Sequence, residues 1–460
     1  MYKIYVGGVR LRGIFKAVSI NSQSQCLFFH PNQSHLIGKI TTIEFGFEKM
    51  EVACKQLNTL KENEIGLSKT VIDKLQLLLE AEYELSIENN KIIIGPFIGL
   101  LIANYQSELR EKLKKIKFNI QQYPLVNGVI AAFSLEGMDE KNKIINGLIF
   151  NPISRSWENR TFPFPSVIIK RVSLSIKKQN ELKKLYGPRF FNSGSIHKWK
   201  MYQLLSLNKN LLPHLPKTYL YKEPEDILHY LKSFHTVYVK PKSGLKGAGV
   251  EKFISTPEKY CVKFRSDKEN KTIDFSSETE LLNYVRSKFK SGKYVIQQEI
   301  DLEIEKNCLI DFRIVLIKNQ DGQWEDVGMV GRKGVEGSVV SNRSSGGKVE
   351  RGETLLLNSF NLTTAEMLSY RKQMSEIAIH AAKELDKYES IYKYGVDIGV
   401  DRKHHIWLIE INNSSPNDSI FSHVGDDDTV SKIKDSWLHY AKYLAGFPKE
   451  EKNHGSKGSK

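Results

Sequence analysis

Two runs near the C-terminal end carry residues that could hold a metal. Tyr394-Gly395-Val396-Asp397-Ile398-Gly399-Val400 is followed, after a polar turn, by Ile406-Trp407-Leu408-Ile409-Glu410-Ile411-Asn412-Asn413-Ser414-Ser415-Pro416. They read as the strands of a hairpin. Glu410 and Asn412 are two apart and so share a strand face, and Asp397 can face the same space from the neighbouring strand. Oxygen donors of this kind suit Mg²⁺, which takes one or two carboxylates together with waters and substrate phosphates. A solvated polar face is the plain alternative, but Glu410 interrupts an apolar run, where an unpaired charge is costly.

Upstream, Val237-Tyr238-Val239-Lys240-Pro241-Lys242-Ser243-Gly244-Leu245-Lys246-Gly247-Ala248-Gly249-Val250 sets a strand before a glycine-rich loop and another β-prone run. Gly244, Gly247 and Gly249 would let backbone amides approach phosphate oxygens, with Lys240 projecting from the strand to neutralise them. The chain is expected to turn back as a strand, forming a flap, whereas in P-loop and dinucleotide-binding folds the glycines open a helix. A plain turn is the competing reading. Between these segments lie Tyr294-Val295-Ile296-Gln297-Gln298-Glu299-Ile300-Asp301, a strand leading into a polar turn able to offer backbone groups to a base, and Leu309-Ile310-Asp311-Phe312-Arg313-Ile314-Val315-Leu316, whose Arg can grip a carboxylate or phosphate bidentately. Gly331-Arg332-Lys333-Gly334 and Ser341-Asn342-Arg343-Ser344-Ser345-Gly346-Gly347 form a basic loop long enough to close over anions, with an ordinary surface loop as the alternative.

Taken in this order, the segments resemble the ATP-grasp superfamily from about Phe191 to Pro416, half of the chain. The comparison is with the branch containing the ribosomal protein glutamate ligase. The resemblance implies that Lys198, on the helix His197 to Leu205, contacts ATP together with Lys240, Lys242, Gly244, Gly247 and Gly249. It further implies an adenine hinge at Gln298, Glu299 and Ile300, and two Mg²⁺ ions held by Asp397, Glu410 and Asn412. Arg313, Arg343 and Arg332 would orient a carboxylate and stabilise the charged transition state, with Lys333, Asn342, Gly346 and Gly347 in the same loop. A second likeness runs from about Ile94 onward. It is carried by Gly95-Pro96-Phe97-Ile98-Gly99-Leu100-Leu101, by Phe162-Pro163-Phe164-Pro165-Ser166-Val167-Ile168 and by Phe191-Asn192 to Trp199, and it is to the YheC/YheD family of endospore coat-associated ATP-grasp proteins.

Together these resemblances imply an ADP-forming carboxylate-amine ligase that works through an acyl phosphate and adds an amino acid to a peptide or protein acceptor. The implied setting is the cytoplasm of a spore-forming bacterium, or its spore coat. Three other readings stay open: an ATP-grasp kinase, a structural spore-coat protein with a vestigial nucleotide site, and a binder of nucleic acid or an acidic polymer. The sequence departs from the glutamate-ligase pattern in its long N-terminal extension and in Asn412-Asn413-Ser414-Ser415-Pro416, where that pattern has a shorter Asn-x-Ser-Pro.

These residues need an α/β (α+β) frame to position them. The expected organisation is a small β-rich module over 1–90, a pre-ATP-grasp α/β domain over 91–190, an ATP-grasp domain over 191–446, and a disordered tail over 447–460 ending in Gly-Ser-Lys-Gly-Ser-Lys. Met1 to Val6 reads as a strand. Lys91-Ile92-Ile93-Ile94-Gly95-Pro96 is expected to open the second unit, and Thr161-Phe162-Pro163-Phe164-Pro165 is unable to hold a helix or a central strand.

At 460 residues the chain can bury several cores without disulfide or metal staples. No apolar run reaches the length of a membrane span, and the start lacks a secretory h-region. Cys26, Cys54, Cys261 and Cys308 are scattered without metal-site or redox spacing, which fits a reducing cytoplasm. The net charge of +15 favours anionic partners, but it is spread over lysine-rich helix faces. No zinc-finger spacing or aromatic RNA-binding signature accompanies it, which argues against nucleic acid.

Overall fold

The computed structural model describes residues 9–116, 120–192, 194–244, 248–266, 269–305, 307–339, 341, 346–413 and 418–448. The chain divides into two compact units. One comprises residues up to 193 with 318–323 and the stretch from 435; the other comprises 194–317 and 324–434. The expected strand at Met1 to Val6 lies outside the described residues. Among the described residues no helix is long and apolar enough to cross a membrane.

The first unit holds two sheets. In the eight-stranded sheet the central strand Val9–Ile20 lies between Glu82–Glu88 and Glu64–Ser68. Period-two patterning builds it: in Glu82–Glu88, Tyr83 and Leu85 are buried in the core while Glu82 and Glu84 lie on the opposite face, Glu84 paired with Lys442. The second sheet runs Ser156–Pro163, Ile144–Asn151, Val129–Asp139, Phe97–Ala103, Val167–Lys170, Phe190–Phe191. Phe97–Ala103 pairs in parallel on both sides and is buried along its whole length, as a continuous apolar run should be. Ser156–Pro163 is an edge strand, the position where a proline costs no ladder hydrogen bond.

Two expected boundaries move. Lys91–Gly95 does not open the second sheet. It is a strand of the first, paired with Glu82–Glu88 and with Thr42–Phe45, and the second sheet begins at Phe97. The cause is the two-residue connection Asn89-Asn90, whose φ values of 44° and 65° make a hairpin turn back onto the preceding strand. Residue 447, counted in the expected tail, is packed: the Phe447 side chain is fully buried, its ring against Gly95, where a side chain would collide with it.

The second unit also holds two sheets. The flap sheet runs Thr218–Leu220, Tyr294–Gln298, Thr236–Pro241, Glu251–Ser255, Tyr260–Ser266, Glu269–Phe275. On Thr236–Pro241, Val237 and Val239 enter the core shared with helices Pro224–Phe234 and Glu278–Lys288, so the strand's alternation turns Tyr238 and Lys240 to the opposite face. The second sheet runs Lys348–Arg351, Trp324–Lys333, Cys308–Lys318, Lys393–Val400, Ile406–Asn412. It packs against the helix Thr364–Leu385, which buries Met374, Ala378, Ala381, Ala382 and Leu385 and starts in a capping box between Thr363 and Glu366.

Candidate active site

The expected hairpin at the C-terminal end forms. Lys393–Val400 and Ile406–Asn412 pair antiparallel with Asp397 opposite Glu410 and Gly395 opposite Asn412, and the register shifts between Asp397 and Ile398. The Asn412 amide nitrogen donates to Asp397 Oδ2 at 3.3 Å and to the Gly395 carbonyl at 3.5 Å. Glu410 faces the helix Lys198–Leu205, and its Oε1 lies 3.0 Å from Lys198 Nζ. Lys198 also donates to the Gly244 carbonyl at 3.3 Å, and its backbone amide donates to the Lys242 carbonyl at 3.1 Å. The helix start and the end of the flap strand therefore hold one another. His197 caps the helix through Nδ1, which accepts from the Lys200 amide at 3.1 Å.

The glycine-rich segment turns back as a strand. Thr236–Pro241 pairs with Glu251–Ser255, Val239 opposite Glu251. Gly249 has φ +71°, and a side chain there would press on the Pro241 ring at 2.9 Å, so glycine is needed on both counts. Lys240 Nζ donates to Gln297 Oε1 at 2.6 Å. Burial pushes the Lys240 ammonium down to about 8, opposed by the nearby Glu410 carboxylate and assisted by Lys198.

Two adjoining cavities lie along this face. One of about 230 Å³ is lined by Lys198, Lys242, Gly244, Glu410, Asn412 and neighbours. The other, of about 50 Å³, is walled by apolar side chains that include Met201, Leu215, Val295 and Leu408, with Lys198, Lys240, Gln297, Thr218 and Glu410 among its polar members. The charged vestibule offers counter-charge to a phosphate chain, and the apolar slot beside it would have to widen to admit a flat base.

Arg313 and Arg332 are placed differently from the expectation. Arg313, opposite Asp397 in the register of Cys308–Lys318 and Lys393–Val400, donates to both oxygens of Asp397, from Nη2 at 2.9 Å and from Nε. Arg332 grips Asp311 through two nitrogens, with Nε at 2.7 Å, and its Nη2 lies 3.1 Å from Asp397 Oδ1. Burial would raise the Asp397 carboxyl, but the two guanidinium groups overcome it and hold the group below the usual carboxylate range. Both arginines thus close a buried frame behind Glu410 and Asn412. The reason is solvation: in a buried strand layer a guanidinium without a carboxylate partner would cost more than either residue could recover.

The hinge segment is also engaged within the protein. Gln298 Oε1 accepts from the Lys217 amide at 3.0 Å, and Glu299 lies 2.6 Å from Lys252 Nζ. Lys333 pairs with Glu305, which also accepts from Ser359 at 2.6 Å. Leu245, Lys246, Gly247, Asn342, Arg343, Ser344 and Ser345 lie outside the described residues. Sequence reasoning missed Gln297 and Thr218. Strand alternation was the available signal, since Gln297, unlike Gln298, sits on the same face as Val295 in the slot.

The donors fit Mg²⁺ better than a softer metal. Glu410 and Asn412 offer oxygen, and among the described residues no group of three or more His, Cys, Asp or Glu is arranged to hold a metal by itself. An ion here would depend on phosphate oxygens and water for the rest of its shell, as Mg²⁺ commonly does.

Comparison with known proteins matches residues 187–444, more than half of the chain, to the model of the YheC/D like ATP-grasp family. Endospore coat-associated protein YheD of Bacillus subtilis is 27% identical over 399 residues, covering 84% of this chain and 86% of its own. Endospore coat-associated protein YheC of the same organism is 21% identical over 287 residues, covering 60% and 77%. Among solved structures, D-alanyl-alanine synthetase A from Vibrio cholerae aligns over 76% of this chain and 97% of its own, at 11% identity and a TM-score of 0.41.

Proposed function

This chain belongs to the YheC/D like ATP-grasp family, and on that premise we propose that it is an ATP-dependent carboxylate-amine ligase that adds an amino acid to a peptide or protein acceptor. The observation that carries the reading is the convergence of Lys198, Lys240, Glu410 and Asn412 on one pair of joined cavities. Cations from the helix start and the flap strand meet oxygen donors from the C-terminal hairpin there, the combination a metal-bound triphosphate requires.

A carboxylate is a poor electrophile, because hydroxide or oxide is a poor leaving group. In the proposed reaction a carboxylate oxygen bonds to the γ-phosphorus of ATP as the bond to ADP breaks. The amine then bonds to the acyl carbon and sheds a proton, and inorganic phosphate leaves with the oxygen that came from the carboxylate. Lys198 and Lys240 would neutralise the phosphate chain. Glu410 and Asn412 would hold Mg²⁺, with phosphate oxygens and water completing the shells of the two ions assigned, while Asp397, engaged by Arg313 and Arg332, would fix Asn412 from behind. Bound there, Mg²⁺ supplies positive charge against the phosphate oxygens. Lys242, Gly244, Gly247 and Gly249 would form the flap that excludes water, and Gln298, Glu299 and Ile300 the adenine hinge. Arg313 and Arg332 would set the positions of Asp397 and the strands beneath it, leaving Arg343 as the arginine assigned to the carboxylate. The relatives' names place them at the endospore coat, and we take the same setting for this chain.

Purified protein with Mg-ATP, screened against amino acids and acidic peptides, tests this reading by phosphate release and product mass read together. A carboxylate substrate carrying a heavy-oxygen label should deliver that label to inorganic phosphate, one atom per condensation. A phosphorylated product with ADP and no free phosphate would make the protein a kinase instead.

A further inference from the structure

Lys240 is half-buried in the cleft, and the one hydrogen bond described for its ammonium goes to a neutral group. Its Nζ donates to Gln297 Oε1 at 2.6 Å and stands 5.2 Å from the centre of the Tyr238 ring. On the adjoining strand Val295 lies opposite Lys240 and Gln297 opposite Tyr238, so all four side chains leave the same face of the sheet.

The direction of the Gln297 amide is fixed from both ends. A lysine ammonium can only donate, so the group facing it must be the amide oxygen. At the other end, Gln297 Nε2 lies 3.0 Å from Thr218 Oγ1, and the Thr218 hydroxyl donates its one proton to the Pro216 carbonyl at 2.8 Å. Thr218 is therefore left to accept from the amide nitrogen. Thr218 is itself buried, and the relay from Pro216 through Thr218 and Gln297 reaches the half-buried Lys240 along the wall of the slot.

We propose that Gln297 is a positioning residue that anchors the Lys240 ammonium in the cleft while leaving its charge uncancelled. The chemistry of the side chain matters as much as its reach. A glutamate in the same place would accept the same hydrogen bond but would neutralise the charge that a triphosphate needs. A leucine would fill the slot but leave the ammonium without an acceptor. This inference rests on the nucleotide reading of the cleft, and it concerns the phosphates rather than the base.

The test is calorimetric affinity for ATP, ADP and adenosine, with Mg²⁺ present, in the intact chain and in Gln297→Leu, Gln297→Glu, Lys240→Met and the double variant Gln297→Leu/Lys240→Met. A hydrogen bond to a charged group sets the scale, so Gln297→Leu should weaken ATP and ADP by about ten- to a hundredfold. Adenosine, which brings no phosphate to the ammonium, should lose clearly less affinity than ATP, although Gln297 also lines the slot. Gln297→Glu, nearly identical in shape, should weaken ATP at least as much, and Gln297→Leu should have no further effect once Lys240 is Met. Thermal unfolding of each variant reports whether it is folded. Equal losses for ATP and adenosine, additive losses in the double variant, or wild-type ATP affinity in Gln297→Leu would each overturn the inference. If Lys240→Met loses ATP and Gln297→Leu does not, the positioning role alone fails; if the wild-type chain binds no ATP, the nucleotide reading fails and takes this inference with it.

Discussion

Two clusters of charge sit side by side in the second unit and differ in how completely they are paired. Around Asp397, two arginines and two aspartates form a closed set: Arg313 on both oxygens of Asp397, Arg332 on both oxygens of Asp311 and on Asp397 as well. Their formal charges cancel, and all four residues are buried. Around Glu410, one carboxylate faces Lys198 directly and Lys240 at longer range, beside an open cavity that Lys242 also lines. That cluster is left net positive and accessible. A saturated ion network can fix strand positions but has little left for a ligand, whereas an under-neutralised one is built to receive an anion. The sequence alone suggests Arg313 and Arg332 as substrate groups; their pairing with Asp397 and Asp311 supports a place in the frame instead.

The contrast can be broken at either cluster. Glu410→Gln should show the largest effect, a fall of about a thousandfold in substrate-dependent phosphate release, equivalent to roughly 4 kcal/mol of barrier, with the unfolding midpoint nearly unchanged. Arg332→Met should act on the other side of the contrast. Removing one partner of a buried pair strands Asp311, and urea unfolding should show a loss of about 3–5 kcal/mol, much of it recovered when Asp311→Leu is added. Wild-type stability in Arg332→Met would mean the frame is not a frame. Lys240→Met, the same kind of change in the open cluster, should weaken ATP by about ten- to a hundredfold without destabilising the fold.

The smallest effect is a pH dependence with two opposite slopes. Burial lowers the Lys240 ammonium from 10.5 to about 8, so the folded chain gives up this proton before the unfolded chain does. Between those values the unfolded state binds more protons, and this group adds stability as pH rises. ATP affinity should move the other way, declining by a few-fold as pH passes about 8 and the ammonium is lost. Titrations and urea midpoints at pH 7 and 9.5 compare the two, and Lys240→Met should flatten both trends.

What could be read from the sequence follows from what is local. The hairpin carrying Asp397, Glu410 and Asn412 and the flap strand carrying Lys240 were legible because period-two alternation and a glycine-rich turn are written in consecutive residues. The pairing of Arg313 with Asp397 was not, since it depends on the register between Cys308–Lys318 and Lys393–Val400, strands far apart in the chain. Gln297 was passed over for Gln298 for a related reason. Only the pairing of Tyr294–Gln298 with Thr236–Pro241 shows which of two adjacent glutamines shares a face with Lys240. The displaced boundary at Lys91 had a local sign, the Asn89-Asn90 turn, whereas the burial of Phe447 had none, because it depends on a contact with Gly95.

The most direct test of the account is the titration of Mg-ADP into the wild-type chain and into Glu410→Gln, Lys240→Met and Lys198→Ala. The account predicts one nucleotide per chain, Mg²⁺-dependent binding in the wild type, and a loss of at least about tenfold in each variant while the fold is retained. Failure of the wild type to bind nucleotide, or variants that bind as tightly as the wild type, would contradict it.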